Sequence, residues 1–595
     1  MRGSRGIRRA LRGLAMTGLA LAAMSCGRGA AEMPAASAPA VPAEWAEWVV
    51  TRADVDYVAV GKREMLAAAE PLFAHRAARG HVIERLALED VLARKPAGAS
   101  DAEAIAAAIR SVAAQVGTRL KFVLLLGDTP GRSRGGPETL AQVPAFYARK
   151  IDYQHDRPDE HGLEGSYGAR WFDPQYPTDL PYALAHRDAP GQPELSAVRF
   201  PRPLAVGRVP AWSPDEVAAF AQKIIAYETT PTEGAWRKSI TLFSGPANFG
   251  ALTDFLIERT ATRSLDKEVP YDWDVDVVFP KLDSPYAYPF PELRQHMRDR
   301  LTEGALIAAY VGHGAPARFD DVRFRQRDYN IGSSSDLEGL RIDDGKPFFV
   351  SITCSTGHYD LSGMRSIAET LVMNPGGAIA SFASSRESHP YTNALLGKAI
   401  LEVFVQARAR TVGEGIVEVK RRMMEGSIPL APLLFASDPK ELAVEHEGLY
   451  NLFGDPATEL RYPAKATLSV KGSPAEVRPG AVLEVTLESK EIDTGNATLT
   501  VETRRSVIRG KLVSPSELEN LRESDTWKAM RKNYQAAMNK VVTQAKGPIS
   551  GGRAVFKVKA PVEPGEYAIK GFAAGGGEAA TSVVQVRVRE KGAGR

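Results

Sequence analysis

"YVGHGAP" (residues 310–316) sets a histidine between two glycines, directly after the apolar run Leu306–Ala309. Forty-one positions after His313, a second apolar run, "PFFVSITC" (347–354), stops at Cys354. Both runs are short, rich in β-branched or aromatic residues and closed by glycine or small polar residues, the pattern of a strand buried on both faces of a parallel sheet. In an open parallel sheet, chemistry gathers beyond the carboxyl ends of the strands. Neighbouring strands would therefore bring His313 and Cys354 to one edge. A free thiol titrates near 8.5 and attacks only as the thiolate, so an adjacent imidazole that takes its proton and later protonates a leaving amine makes a nucleophilic pair. Gly312 and Gly314 admit close approach of another backbone. The amides of Gly314 and Cys354 are candidates for an oxyanion hole. On these residues alone, an inert cysteine buried at a strand end stays open as the alternative.

Outward from this stretch, strands and helices alternate. "DYVAVG" (56–61), "HVIERLAL" (81–88), "KFVLLLGD" (121–128) and "PLAVGRVP" (203–210) read as strands. "DAEAIAAAIRSVAAQVG" (101–117) and "SPDEVAAFAQKIIAYE" (213–228) read as helices with Asp or Ser starts. The pattern repeats with "SITLFSG", "ALTDFLIERTATRSL" and "DVDVVFP", and again with "SIAETLVMNPGG" and "AIASFASS". The expectation is two consecutive parallel α/β sections, 46–230 and 231–462. The stretch ~135–205 is rich in Pro, Tyr, Asp and His and is expected to form long surface loops. "LLLGDTP" (124–130) carries one glycine and no phosphate-loop pattern, so it is read as a strand-end turn.

From Ala464 the texture changes to alternation at period two in "ATLSVKG", "VLEVTLES", "ATLTVETR", "GRAVFKVKA" and "SVVQVRVRE". Residues 463–595 are expected to form an all-β sandwich of immunoglobulin type. A charged amphipathic helical insert, 514–544, interrupts it.

At 595 residues the chain exceeds one core and is expected to hold several domains. The formal charge of +3 comes from one end. Residues 1–26 carry five arginines and no acid, and without them the balance is −2, in which nothing suggests a nucleic-acid surface. Those residues form a basic stretch followed by the apolar "LAMTGLALAAM" (14–24), about half the ~20 residues a membrane span needs. They are read as an export signal, with 27–45 a flexible Ala/Pro-rich linker. "AMSC" leaves two outcomes, acylation of Cys26 with membrane attachment, or plain cleavage. The chain has two cysteines, so Cys354 stands alone in the mature protein. A lone thiol in an oxidising compartment is a liability unless its reactivity is used.

"LIAAYVGHG" (306–314), "KPFFVSITCSTGHYD" (346–360), "SIAETLVMNPGGAIASFASS" (366–385) and "LYNLFGDPATEL" (449–460) follow the order and approximate spacing of the gingipain-type cysteine peptidases, which this chain resembles over roughly 55–590. The resemblance implies a caspase-like fold followed by an immunoglobulin-like domain. It assigns His313 as the base and acid, Cys354 as the nucleophile, and the Gly314 and Cys354 amides as the oxyanion hole. His358, four residues past the cysteine, is a rival base expected on the following helix. Family members often carry an acid after the strand equivalent to "ITLFSG"; here Ser244–Asn248 supply none, which leaves two alternatives, a plain dyad or Asn248 orienting the imidazole. The resemblance also puts Asp254 at the floor of the primary substrate pocket, with Glu258 one turn along and Arg386 in another pocket wall. Preference for Arg, over Lys, before the cut bond is the expectation.

No cofactor is required for this chemistry. Structural calcium on the loop carboxylates Asp152, Asp156, Asp159, Glu160 and Asp179 is the one metal the resemblance implies. The expected activity is an exported cysteine endopeptidase acting on proteins or peptides. Its rivals are a transpeptidase of the same family and a catalytically silent surface adhesion protein.

Overall fold

Ten short runs of apolar and β-branched residues build the centre of the molecule. The structure, a computed structural model, describes residues 47–130, 143–151, 175–185, 203–246, 268–427, 438–472 and 476–589. The expected signal 1–26 and linker 27–45 lie outside the described residues. The strands are β1 (Tyr57–Gly61), β2 (Ile83–Ala87), β3 (Phe122–Leu126), β4 (Ala205–Val209) and β5 (Ser239–Ser244). They continue with β6 (Asp274–Val278), β7 (Ile307–Val311), β8 (Phe348–Ile352), β9 (Ala380–Ser384) and β10 (Tyr450–Phe453). Their order across one sheet is β2-β1-β3-β4-β10-β9-β8-β7-β5-β6. Every residue of β8 and β9 is buried, as an interior strand covered on both faces requires.

The two α/β sections are continuous through this sheet. The chain returns after the helix Pro439–Leu449 to lay β10 between β4 and β9, antiparallel to β9 with Ser381 opposite Phe453. The helices start where the side chains dictate. In α1 (Asp101–Val116) the Ser100 hydroxyl accepts from the Glu103 amide while the Glu103 carboxylate accepts from the Ser100 amide. Ser213 caps α2 (Pro214–Thr229), and Ser366 with Glu369 closes the same reciprocal box on α3 (Ile367–Met373).

The described parts of 135–205 are not surface loops. Phe146–Arg149 pairs antiparallel with Gln175–Thr178, and Tyr176, Thr178 and Tyr182 are buried. Aromatic and β-branched residues in this polar-looking stretch outweigh its prolines. The helical insert is also shorter than expected. It comprises Pro515–Asn520 and α4 (Glu523–Met538), and 541–544 already belong to a strand, Val541–Ile549. The β-branched run Val541, Val542, Thr543 suits a strand better than a further helical turn.

Around that insert lie a six-stranded and a three-stranded sheet. Val485 and Leu487 from the smaller sheet, with Leu499, Val501 and Ile569 from the larger, fill one shared core. The insert itself packs elsewhere. Leu518, Met530 and Tyr534 join a core with Phe290, Tyr310 and Phe319. The Trp527 ring lies 5.1 Å from Phe324 and 5.5 Å from Phe290, and the Tyr534 hydroxyl donates to Asp276 at 2.8 Å. Among the described residues no helix is long and apolar enough to cross a membrane.

Candidate active site

β7 and β8 are parallel neighbours in register, Val311 beside Ile352. The Gly312 amide donates to the Ile352 carbonyl at 3.3 Å, extending the ladder one step. His313 and Cys354 each follow by two residues, so the register brings them to the same edge. Both are partly exposed. The two glycines flanking the histidine are required by crowding. A Cβ on Gly312 would stand 2.9 Å from the Gly245 nitrogen, beyond β5; one on Gly314 would stand 2.9 Å from the Cys354 carbonyl and 2.7 Å from the Thr356 methyl. The histidine loop is therefore clamped between the ends of β5 and β8.

The thiol has its own partners. The Ser388 amide donates to Cys354 Sγ at 3.4 Å, and the Ser388 carbonyl and hydroxyl lie 3.7 and 4.0 Å away. Burial raises the thiol pKa, the Ser388 amide and Lys150 act against that, and Glu387 adds to it. Asn393 donates to the Ser388 hydroxyl at 2.8 Å and the Tyr450 hydroxyl donates to Asn393 at 2.8 Å, which holds Ser388 in place. Ser355, next to Cys354, is left-handed at φ +53°, a strained conformation for a non-glycine residue of the kind that gathers at reactive turns. Its amide donates to the Arg386 carbonyl at 2.9 Å.

Arg386 is fully buried, and its guanidinium makes two 2.8 Å bonds to Asp360. It is an internal anchor of the loop after β8 and its fork faces Asp360. His358 is not on a helix. Helix α3 begins only at Ile367, and His358 Nε2 lies 3.1 Å from Asp360. Burial would raise Asp360, but the hydrogen bonds from His358 and Arg386 hold it well below the carboxylate range. Gly357, inside the expected helix, packs against Ala383 too closely for a Cβ, which ties this segment to β9 instead.

Asn248, Asp254 and Glu258 lie outside the described residues, as do Cys26, Asp152, Asp156, Asp159 and Glu160. Asp179 is described, and Arg208 occupies its carboxylate through bonds of 2.8 and 2.6 Å, leaving that residue poorly suited to calcium. Among the described residues no group of three or more His, Cys, Asp or Glu side chains could hold a metal ion. Sequence reasoning did not single out Ser388, whose amide donates to the Cys354 sulfur. Ser388 sits in a polar run, "SSRESHP", just past β9, a position that the rule for strand ends already marks.

A model of peptidase family C25 matches residues 50–461. None of the curated proteins compared matches the chain. Among solved structures, the Arg-specific cysteine proteinase gingipain R (RgpB) is 16% identical, with 91% of this chain and 99% of that one covered and a TM-score of 0.48. The complex of RgpB pro- and mature domains from Porphyromonas gingivalis is also 16% identical, covering 90% and 100%, with a TM-score of 0.47. Dimeric latent PorU from Porphyromonas gingivalis is 15% identical, covering 90% of this chain and 43% of that one, with a TM-score of 0.34.

Proposed function

The chain belongs to peptidase family C25 and is a cysteine-type peptidase, and from that premise we propose that it cuts peptide bonds by a Cys354–His313 dyad. The observation that carries this reading is the register of Val311 with Ile352, which leaves the two residues side by side past their strands. In the proposed cycle the Cys354 proton passes to the His313 imidazole and the thiolate attacks the scissile carbonyl carbon. The Gly314 and Cys354 amides receive the oxyanion, His313 protonates the leaving amine, and water hydrolyses the thioester with His313 again as base. Because desolvation raises the thiol pKa, the proton transfer to His313 is the step that activates attack. A peptide chloromethyl ketone should alkylate Cys354, located by mass spectrometry of the digest. Labelling elsewhere with Cys354 untouched would remove the reading.

Three finer parts of the proposal have separate supports. Cleavage after Arg rests on Asp254, since a buried carboxylate can take two hydrogen bonds from a guanidinium and only a point contact from lysine. A positional-scanning peptide library favouring apolar or acidic residues before the cut would end that part. Export, with acylation at Cys26, rests on the leader; palmitate label in a Cys26→Ser variant would contradict it. The immunoglobulin type of the C-terminal sheets rests on their shared core and period-two strands. An experimental structure with another strand order would correct it.

A further inference from the structure

After His313 the chain folds into two small hairpins. Gly314–Ala315 pairs antiparallel with Arg318–Phe319, and Asp321–Phe324 with Arg327–Asn330. Asp320 stands at their junction and is only 7% exposed. Its backbone is fixed from two sides: its amide donates to the Tyr310 hydroxyl at 3.3 Å, and its carbonyl accepts from the Ile331 amide at 3.0 Å. Oδ1 accepts from the Asp321 amide at 2.9 Å, whereas Oδ2 is buried with no hydrogen-bond partner.

That bare oxygen lies at the base of the histidine loop. A Cβ on Gly245 would come within 3.0 Å of Asp320 Oδ2 and 3.3 Å of the Gly312 Cα, so the carboxylate and the residue preceding His313 approach the same point. Burial raises the Asp320 pKa, while the His313 charge and its amide pull it down. A buried carboxylate with one oxygen left unpaired is unfavourable by itself and is retained where its charge is used. Its position is also braced. Phe319 stacks on Tyr310 with centroids 4.0 Å apart, and Trp527 of α4 covers Phe324 and Tyr329 of the second hairpin.

We propose that Asp320 is the positioning acid for His313, replacing from the downstream hairpin the carboxylate that Ser244–Asn248 do not supply. This rests on the reading of His313 as the base. When the Cys354 proton moves to the imidazole, Asp320 stabilises the resulting cation and holds the loop; no proton passes to Asp320 itself. It touches neither substrate nor thiol.

The test compares Asp320→Asn, Asp320→Glu, Asp321→Asn and Cys354→Ala in the full chain. Readouts are kcat and KM on a fluorogenic peptide and the rate at which iodoacetamide alkylates Cys354. The expected result for Asp320→Asn is a kcat lower by on the order of 10²–10⁴-fold, KM unchanged, and slower alkylation. Asp320→Glu should recover part of the kcat, and the neighbouring Asp321→Asn all of it. If the Asn variant does not fold, the kcat-against-KM split of Asp320→Glu carries the test. Wild-type kcat and alkylation in Asp320→Asn, with Cys354→Ala inactive, would overturn the inference while sparing the dyad. So would lost activity accompanied by a lowered Tm and unchanged alkylation, which marks a purely structural residue. Activity retained by Cys354→Ala would bring down the dyad itself, and this inference with it.

Discussion

Asp179 and Asp320 are buried almost equally, at 5% and 7% exposure, yet their surroundings are opposite. Arg208 grips Asp179 with two donors, and its remaining nitrogen donates to the Gly127 and Val143 carbonyls at 2.9 and 2.7 Å. The Asp179 amide finds the Asn451 side chain at 3.0 Å. Asp320 keeps one oxygen bare beside the histidine loop. The same contrast separates Arg386–Asp360, joined by two 2.8 Å charge-paired bonds, from Cys354, whose sulfur holds only long contacts to Ser388. Where charge is neutralised in full, the sheet edge is a frame. Where it is left incomplete, the edge can respond to a proton or a substrate.

The largest effect should fall on Cys354, the proposed nucleophile. Cys354→Ala is expected to lower peptide hydrolysis by at least ~10³-fold, with the thermal transition nearly unchanged, because a small side chain replaces a small one. A variant that unfolds instead would mean that Cys354 belongs to the frame.

The frame should fail in the other direction. Arg208→Ala leaves the Asp179 carboxylate buried and unpaired, and denaturant titration should show a loss of about 3–5 kcal/mol. A smaller loss would mean that water reaches Asp179. Next comes Trp527→Ala, which removes the rings packed on Phe290, Phe324 and Tyr329. The expected cost is roughly 2 kcal/mol, with a fall in kcat because the hairpin behind Asp320 loosens. Unchanged kcat would separate the C-terminal insert from the site.

The smallest effect is the dependence of stability on pH. Because burial raises the Asp320 pKa, the folded protein holds that proton more tightly than the unfolded chain. The stability this confers is present below the unfolded carboxylate pKa, about 4, and is lost as pH rises through the folded value. Asp320→Asn does not suffer that loss. Its Tm should therefore gain on the wild type as pH rises above about 4, while its activity is lower. A margin that shrinks with pH would show a carboxylate stabilised in its charged form.

These contrasts were unevenly legible in the sequence. β7 and β8 declare themselves through compact apolar runs closed by Gly312 and by Thr353-Cys354, and the glycines around His313 forecast the tight contacts found there. The Ser366–Glu369 box fixes the start of α3, and reading a helix directly after Cys354 overlooked that signal. Asp320 could not be read because its role depends on a non-local meeting with Gly245, seventy-five residues earlier. Local patterning carries no information about which loop returns beneath the histidine. The pairing of Phe146–Arg149 with Gln175–Thr178 was hidden for a similar reason: two four-residue strands with an internal proline give no periodicity to detect.

The most direct measurement is acid-quench mass spectrometry of the protein mixed with a cleavable peptide ester. The expected result is a transient adduct with the mass of the acyl portion, mapping to the fragment that contains Cys354 and absent from Cys354→Ala. Turnover of the ester with no adduct on that fragment, and with the same rate in Cys354→Ala, would contradict the account.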